Sequence, residues 1–399
     1  MYSNLATLAA FAFIFSIIAG RIERSAITGP IIFVGFGLIA GPLGFGFLKL
    51  EVEAVELRVV ADFTLALVLF IDAANANLST LRAHALIPRR MLLIGLPLAI
   101  ALGIGAGLVI FPDLDFYEVC LLATMLAATD AALGKGVVSN PAVPAGLREG
   151  LNVESGLNDG MCVPVLLVFL ALATHSTGEG GGGALALELV AMEIGVGAAV
   201  GIVFAIAGVK LIKVGVRHDW FTDVWAQIPV VGLALACFAT ADTLHGSGYI
   251  AAFVGGLVFG HLTRNHTHDL VQAGEGIAEL LAMLTWIIFG AVAIGQSWAG
   301  MSWQVLAYSL LSLTVIRMLP NIIALTGTGE AWEPKLFLAW FGPRGLASIV
   351  FFIIVADADL PGESVIKSTV ACTITLCIVA HGLTANLWAR GIASRQAAE

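Results

Sequence analysis

The sequence predicts an all-α polytopic membrane protein. Its 399 residues are 59% hydrophobic and only 12% charged, with a mean hydropathy of +0.97, whereas soluble domains have about 25% charged residues. Apolar runs recur at about 20 residues, the length at which a helix crosses a bilayer. The 45 glycines are typical of closely packed membrane helices. The net charge of −9 is spread over loop ends and helix interiors, so it indicates no nucleic-acid partner.

About thirteen membrane-spanning helices can be placed on these apolar runs. Some of them are short or are interrupted by Gly and Pro. An odd number of spans places the two ends of the chain on opposite sides of the membrane. The predicted spans cover approximately residues 4–20, 27–48, 55–73, 91–111, 117–139, 151–173, 186–212, 224–242, 248–262, 275–296, 302–322, 335–356 and 364–388.

The basic residues set the predicted orientation, because cytoplasmic loops of membrane proteins contain an excess of Lys and Arg. With the N-terminus outside, Lys49 and Arg58 fall in outside loops. The basic residues that then fall in inside loops or at inside helix ends are Arg21, Arg24, Arg82, Arg89, Arg90, Lys135, Arg148, Lys210, Lys213, Arg217, Arg264, Arg317, Lys335, Arg390 and Arg395. The sequence therefore predicts a cytoplasmic C-terminus, in the inner (plasma) membrane of a bacterium or archaeon.

A glycine-rich linker, TGEGGGG at residues 177–183, lies between predicted spans six and seven. It indicates two inverted repeats of about six helices each, the plan of many secondary transporters. Span five is interrupted at residues 129–130, TD, and its counterpart, span twelve, at residues 342–345, GPRG. Because Pro and Gly weaken a helix, both spans are predicted to be broken helices that cross. Alternatively, GPRG is a cytoplasmic turn that precedes span twelve.

Asp130 and Asp159 form the centre of the predicted functional site. Both lie near the predicted middle of the membrane, where an ionised carboxylate is costly unless it faces water, a cation or a partner. A proton and a small cation neutralise the same buried charge, which is what an exchanger requires. The alternative is a pair of structural acids bound by basic residues, but acids outnumber the bases nearby.

The residues that precede Asp159 have helical spacing. Glu154 and Asn158 are four residues apart, as are Ser155 and Asp159, so two polar rows lie on adjacent faces of one helix. Ser155 and Asp159 would present a hydroxyl and a carboxylate to one point, which suits an alkali cation. Asn158 cannot titrate, and it would either brace the unwound backbone of span five or form an ordinary interhelical hydrogen bond.

Two arginines and one further acid complete the predicted site. Arg317 in span eleven is predicted to form a structural ion pair with Glu154, because a buried Arg needs a partner. Arg344 at the break in span twelve would offset the helix dipole ends that meet there, or would pair with Glu154 instead. Asp72 at the end of span three would line the cytoplasmic path or join the ion-binding site, unless it is simply a solvated acid.

These motifs resemble those of a known family of transporters. ATD at 128–130 is followed by REGLNVESGLND at 148–159, and later segments read GSGYIAAFVGGLVFG at 246–260 and FGPRGLASIVF at 341–351. Together with Arg317, and over the whole chain, they resemble the cation:proton antiporter-1 family, the NhaP and NHE-type sodium/proton exchangers.

The resemblance implies the antiporter fold of about thirteen helices with crossed broken helices. It also implies a homodimer in which a core domain moves like an elevator against a dimerisation domain. The chain departs from the family pattern at Ala131, where Pro is common, and at Gly156, where a bulky residue is frequent. The implied segments are 1–90 and 177–300 for dimerisation, and 91–176 and 301–399 for ion translocation.

The resemblance also implies roles for the site residues. Asp159 would bind the cation and the proton in turn. Asp130, Ser155 and the carbonyl of Thr129 would be the further ligands of Na⁺. The sequence Asn158-Asp159, in place of two successive aspartates, implies one proton per cation and therefore electroneutral exchange.

The sequence thus predicts a secondary active antiporter, not an enzyme, that exchanges Na⁺ or Li⁺ for H⁺ by alternating access and needs no cofactor. A K⁺/H⁺ exchanger of the same fold is the nearest alternative, because carboxylate and hydroxyl oxygens do not separate alkali cations by type. An intramembrane aspartyl protease would need a GxGD pattern, where this chain reads ESGLND at 154–159. An ion channel fits broken helices around a carboxylate site less well than alternating access does.

Overall fold

The computed structural model describes residues 2–22, 25, 27–48, 54–75, 86–130, 143–175, 182–222, 225–263, 267–297, 300–356, 358 and 360–396. Within these ranges the chain forms helices, turns and bends, and no strand. The predicted all-α class is confirmed. Several positions named above lie outside the described residues, namely residues 177–181 of the linker and Arg24, Lys49, Arg82, Ala131, Lys135 and Arg264.

The described residues form the helices α1 to α15, given in chain order. The first group is α1 (Tyr2–Ile22), α2 (Gly29–Ala40), α3 (Ala54–Asn75), α4 (Leu86–Ile110, with a π-helical turn at Met91–Gly95), α5 (Phe116–Met125) and α6 (Ala145–His175). The second group is α7 (Gly182–Arg217), α8 (Pro229–Thr243), α9 (Gly248–Thr263), α10 (Thr267–Ile288, extended by a π-helical turn at Phe289–Ala293 and by Ile294–Ser297), α11 (Trp303–Leu313), α12 (Val315–Ala324), α13 (Trp332–Trp340), α14 (Leu346–Ala356) and α15 (Glu363–Gln396).

Among the described residues, seven helical stretches are long and apolar enough to cross a membrane. They lie in α1, α4, α6, α7, α10, the α11–α12 pair and α15. The apolar helices α2, α5, α8, α9 and α14 are shorter. With its 10 residues, α5 is about 15 Å long and crosses only part of a bilayer of about 30 Å. The number of about thirteen spans and the inverted repeats remain predictions.

The chain separates into two compact units. The first unit comprises Met1–Arg58, His84–Asn158 and Ala282–Glu399, and the second comprises Val59–Ala83 and Asp159–Leu281. The division passes through α6. The proposed assignment of segments to dimerisation and ion translocation remains a prediction.

In the second unit, α3, α7, α8 and α9 surround a common apolar core. Phe70 of α3 packs against Phe259 of α9, with ring centroids 5.6 Å apart. A Cβ atom added at Gly256 or Gly260 would overlap the backbone of α3, at Phe70 and Ala74 respectively. These two glycines therefore allow the backbones of α3 and α9 to touch, as small residues do in membrane bundles.

Polar pairs also join the helices of the second unit. The hydroxyl of Tyr249 in α9 donates to Asp62 Oδ1 in α3 at 2.5 Å. Asn75 Nδ2, at the end of α3, donates to Glu275 Oε1 of α10 at 2.8 Å. Each acid of α3 or α10 in these pairs receives a hydrogen bond, which lowers the cost of placing it in a helical bundle.

In the first unit, α15 packs along α11, and α4 packs against α5 and α12. A capping box begins α5: Asp115 Oδ1 accepts from Tyr117 N at 2.9 Å, and Glu118 Oε2 accepts from Asp115 N at 3.0 Å. Glu118 Oε1 also accepts from the amide of Gly362 at 2.6 Å. The start of α5 is thereby attached to the turn that precedes α15.

Predicted span eleven is present as one apolar stretch, Trp303–Ala324, whose helix is interrupted at Thr314. Thr314 lies between α11 and α12 with φ −108° and ψ −92°, although neither Gly nor Pro occurs next to it. Its hydroxyl donates to the carbonyl of Leu310 at 2.7 Å, which supplies a partner for a carbonyl near the end of α11. The interruption sets the direction of α12 and therefore the position of Arg317.

Candidate functional site

The first break in helical structure at the site is the end of α5. This helix stops at Met125, and residues 126–130 continue as a turn followed by backbone without regular secondary structure. The rest of predicted span five, residues 131–139, lies outside the described residues. Ser348 Oγ of α14 donates to the carbonyl of Met125 at 2.7 Å, and Arg344 Nη1 donates to the carbonyl of Ala127 at 3.4 Å. Carbonyls left without helical partners at the end of α5 are thus satisfied by side chains of another segment.

The second interruption lies between α13 and α14. Residues 341–345, FGPRG, are not helical, so the chain leaves one helix and enters another at this point. Helical structure is therefore broken at GPRG, as predicted, with α13 before it and α14 after it. That both helices belong to one membrane span, and do not flank a cytoplasmic turn, remains a prediction. Pro cannot donate a backbone hydrogen bond, which favours a break here.

The two interruptions meet at Asp130. The amide of Asp130 donates to the carbonyl of Pro343 at 2.8 Å, and Asp130 Oδ2 accepts from the amide of Leu346 at 3.0 Å. The carboxylate therefore lies at the N-terminus of α14, where backbone N–H groups and the helix dipole favour negative charge. Asp130 therefore connects the end of α5 to the break between α13 and α14 through both its backbone amide and its carboxylate.

The two glycines of GPRG allow charged groups to approach the break closely. A Cβ atom at Gly345 would overlap the side chain of Asp130, and a Cβ atom at Gly342 would overlap the guanidinium of Arg317. Any other residue at either position would displace one of these charged side chains. The glycines are thus required by close approach, whereas the sequence analysis considered them only as helix breakers.

Arg344 is buried, with 1% of its surface exposed. Its guanidinium donates to Ala127 O at 3.4 Å and to Ser312 O at 3.1 Å. Ser312 lies in the last turn of α11, so Arg344 places positive charge at the carboxyl ends of both α5 and α11. This is the geometry in which a cation offsets the negative end of a helix dipole.

Glu154 and Arg317 form a buried ion pair. Arg317 Nη1 lies 2.8 Å from Glu154 Oε1, and Arg317 Nη2 lies 3.1 Å from Glu154 Oε2. Glu154 is 1% exposed and Arg317 3%. Asn321 Nδ2, one turn further along α12, donates to the carbonyl of Arg317 at 2.9 Å. The bidentate geometry is the strong arrangement for an Arg–carboxylate pair, and it joins α6 to α12.

Thr129 is bound by two side chains of α6. Asn158 Oδ1 accepts from the amide of Thr129 at 3.1 Å, and Asn158 Nδ2 donates to Thr129 Oγ1 and, at 3.2 Å, to Glu154 Oε1. Ser155 Oγ donates to the carbonyl of Thr129 at 2.7 Å. Asn158 and Ser155 thus hold the unwound backbone beside Asp130, and Asn158 connects it to the Glu154–Arg317 pair.

The first unit brings together most of the predicted site residues, namely Thr129, Asp130, Glu154, Ser155, Asn158, Arg317 and Arg344. Asp159 lies one helical turn beyond Ser155 on α6 and is 6% exposed. Asp72 lies in the last turn of α3, is partly buried and belongs to the second unit.

Sequence reasoning missed several residues that support this arrangement. Ser348 caps the end of α5, and Asn321 binds the backbone of Arg317. Both are polar residues in apolar helices, and Asn321 is four positions after Arg317, a spacing that could have indicated its role. Tyr249 binds a further acid of α3, Asp62, which the sequence analysis did not consider.

A carboxylate at which the end of one helix meets the break between two others in a helical membrane protein is similar to the ion sites of secondary transporters. The family model described as "Sodium/hydrogen exchanger, transmembrane" matches residues 8–390. The chain therefore belongs to this family of transmembrane transporters, and the resemblance stated from its motifs is confirmed.

Curated relatives include two bacterial proteins and a yeast protein. The K(+)/H(+) antiporter NhaP2 of Shewanella oneidensis is 20% identical over 92% of this chain and 63% of its own length. The K(+)/H(+) antiporter NhaP of Alkalimonas amylolytica is 22% identical over 95% and 65%. The Na(+)/H(+) antiporter of Saccharomyces cerevisiae is 26% identical over 89% and 38%. The chain thus spans less than two thirds of the length of these relatives.

The fold is also that of a solved structure. The sodium proton antiporter MjNhaP1 of Methanocaldococcus jannaschii, at pH 8, aligns with a TM-score of 0.76 at 19% identity, over 95% of this chain and 98% of that one. The predicted antiporter fold is therefore confirmed for the architecture of the chain.

Proposed function

We propose that this protein exchanges a monovalent cation for protons across the membrane. The observation that carries the proposal is the position of Asp130 where the end of α5 meets the break between α13 and α14, bound through its amide and its carboxylate. Such a crossing is where secondary transporters bind ions. Membership of the sodium/hydrogen exchanger family supports the same activity.

In this proposal Asp159 binds the cation and the proton in turn. Asp159 follows Ser155 by one turn of α6, and Ser155 donates to the carbonyl of Thr129 at 2.7 Å. The carboxylates of Asp159 and Asp130, the hydroxyl of Ser155 and the carbonyl of Thr129 are hard oxygen ligands, the type that alkali cations prefer. Na⁺ would replace the hydroxyl hydrogen as the partner of that carbonyl.

The neighbouring residues would keep these ligands in place. The Glu154–Arg317 pair would act as a structural link, since its charges are mutually satisfied at 2.8 and 3.1 Å. Arg344 would neutralise helix ends at the crossing, and Asn158 would brace Thr129. Asp72 would lie on the ion path from the cytoplasm.

Access to alternate sides would come from an elevator-like movement of the core segments within a homodimer. The protein would lie in the plasma membrane with its N-terminus outside and its C-terminus in the cytoplasm, as the positive-inside rule predicts. One cation would be exchanged for one proton, because Asn158 beside Asp159 does not titrate.

Na⁺ is the proposed substrate, and K⁺ is the second candidate. Relatives named as K(+)/H(+) antiporters favour the second candidate, whereas those named as Na(+)/H(+) antiporters favour the first. The oxygen ligands would accept either ion.

The test is proton flux in proteoliposomes with a preset pH gradient, to which Na⁺, Li⁺ or K⁺ is added in turn. We expect Na⁺ to dissipate the gradient with the unchanged protein and not with Asp159→Asn or Asp130→Asn. A response to K⁺ alone would select the second candidate. No response to any of the three cations over a range of pH would contradict antiport.

A further inference from the structure

Two buried side chains of α15 face the break between α13 and α14. Cys377 and His381 are one helical turn apart and are 0% and 1% exposed. Neither takes part in the ion chemistry proposed above. We propose that Cys377 and His381 form a hydrogen-bonded clamp that positions the broken segment, and through it Asp130, for ion binding; this inference rests on the proposed exchange function.

His381 binds the end of α13. Its Nε2 lies 2.9 Å from the carbonyl oxygen of Trp340, the last residue of that helix. Because a carbonyl oxygen only accepts hydrogen bonds, Nε2 donates in this contact in the tautomer that carries its proton on Nε2, the tautomer that the clamp requires. The same carbonyl accepts from the amide of Gly342 at 2.8 Å, so His381 occupies its second lone pair.

Cys377 binds the other end of the broken segment. The amide of Arg344 donates to Cys377 Sγ at 3.0 Å, and Sγ lies 3.3 Å from His381 Nδ1. Nδ1 also lies 3.1 Å from the carbonyl of Cys377. In the tautomer with Nδ1 unprotonated, the thiol of Cys377 donates its hydrogen to Nδ1. A hydrogen-bonded chain then runs from Arg344 N–H through the thiol and the imidazole to Trp340 O.

Aromatic contacts fix the orientation of the imidazole. The indole of Trp340 stacks on His381 with centroids 4.9 Å apart and an interplanar angle of 23°. Trp340 Nε1 donates to Thr384 Oγ1, again on α15, at 3.0 Å. Phe341 packs edge-on against His381 with centroids 6.2 Å apart. Trp340 therefore attaches the end of α13 to α15 through its carbonyl oxygen, its stacked ring and its indole N–H.

The clamp and Asp130 both bind the same short segment. Asp130 binds Pro343 O at 2.8 Å and Leu346 N at 3.0 Å, and these residues flank Arg344, whose amide Cys377 binds. Movement of residues 340–344 away from α15 would therefore move Pro343, the acceptor of the Asp130 amide, and would pull on the start of α14, where Leu346 binds the carboxylate. The clamp acts as a positioning device, since neither of its side chains is proposed as an ion ligand.

The first experiment compares conservative and truncating variants in the proteoliposome assay. His381→Gln keeps an N–H donor and Cys377→Ser keeps a donor and acceptor, whereas the two Ala variants keep neither. We expect the half-saturating cation concentration to rise about fivefold in the Ala variants, the factor given by a net hydrogen bond of about 1 kcal/mol. The Gln and Ser variants should return toward the value of the unchanged protein.

Matched controls are Cys372→Ala, a second buried cysteine of α15, and His218→Ala, an exposed histidine. Neither should change the half-saturating concentration. A role in stability alone would reduce the amount of folded protein but would leave that concentration unaltered. If His381→Ala does not fold, the contrast between Cys377→Ser and Cys377→Ala gives the same test. If the Ala variants fold and their half-saturating cation concentration equals that of the unchanged protein, the clamp is overturned.

A second experiment does not depend on transport. In a variant that retains Cys377 as its single cysteine, the reaction of the thiol with a membrane-permeant maleimide is measured with His381 present and with His381→Ala. We expect labelling to be slow with His381 and about fivefold faster without it. Equal rates would overturn the clamp, whatever the transport result. Faster labelling in a protein that exchanges no cation would leave the clamp standing and contradict the proposed function.

Discussion

Glu154 and Arg317 lie 163 positions apart in the chain and form a bidentate ion pair between α6 and α12. Asn158 donates to the same carboxylate at 3.2 Å and also binds the amide of Thr129. The pair is therefore linked through one amide side chain to the unwound backbone beside Asp130. The pair would support the proposed ion site without binding an ion itself, because each of its two charges is neutralised by the other.

Arg317→Ala should strongly destabilise the protein, because it leaves Glu154 as an unpaired buried charge. Breaking a buried pair in this way costs about 3–5 kcal/mol. The measurement is the midpoint of thermal unfolding of the purified protein in detergent. Lys210→Ala, which removes an exposed cation from α7, is the control and should change the free energy of unfolding by less than about 0.5 kcal/mol. Equal midpoints for the two variants would contradict the supporting role.

Gly345→Ala should reduce cation-dependent proton flux, because the added methyl group overlaps the side chain of Asp130. Overpacking of this kind costs about 1–3 kcal/mol, so we expect a decrease of about tenfold. Gly105→Ala in α4 is the matched control, since a Cβ atom there meets nothing within 4 Å. Flux is compared at equal amounts of reconstituted protein. An unchanged rate in Gly345→Ala would mean that the position of Asp130 is not important for transport.

Asn158→Asp should lower stability, because aspartate cannot donate to Glu154 or Thr129 and would place a second carboxylate beside the first. Leaving such buried groups without partners costs about 1–3 kcal/mol. Asn152→Asp makes the same change at an exposed position of α6 and should be nearly neutral. Unfolding in detergent measures both variants. A stable Asn158→Asp protein would show that the bonds from Asn158 to Thr129 and Glu154 contribute little.

Tyr249→Phe should destabilise the second unit, because it removes the hydroxyl that donates to Asp62 at 2.5 Å. A hydrogen bond to a carboxylate contributes about 1.5–3 kcal/mol. Tyr2→Phe, at a residue that is 79% exposed, provides the comparison. Limited proteolysis followed by identification of the cut sites would assign the loss to α3 and α9. Equal resistance in the two variants would rule out a stabilising role for this bond.

The sequence was informative where the local chemistry of the backbone decides the structure. The Pro and Gly residues of GPRG predicted a break between α13 and α14, and the break is present at residues 341–345. The interruption at Thr314 has no such signal, because neither Gly nor Pro occurs next to it.

The partners of charged residues were only partly predictable. Two arginines were possible partners for Glu154, and the choice of Arg317 depends on a contact between α6 and α12 that no local pattern specifies. Helical spacing indicated that Ser155 and Asn158 lie on adjacent faces of one helix, but not that both bind Thr129. The sequence did not indicate the roles proposed for Cys377 and His381, since both are isolated residues of an apolar run.

The most direct test of the central claim is competition between the cation and the proton. The rate of exchange in proteoliposomes is measured against Na⁺ concentration at several pH values, with equal pH on both sides and an isotope tracer for the cation. If both ions neutralise the same carboxylate, acidification should raise the half-saturating Na⁺ concentration, up to about tenfold per pH unit, while the maximal rate at saturating Na⁺ is preserved. An unchanged half-saturating concentration with a falling maximal rate would contradict a shared site.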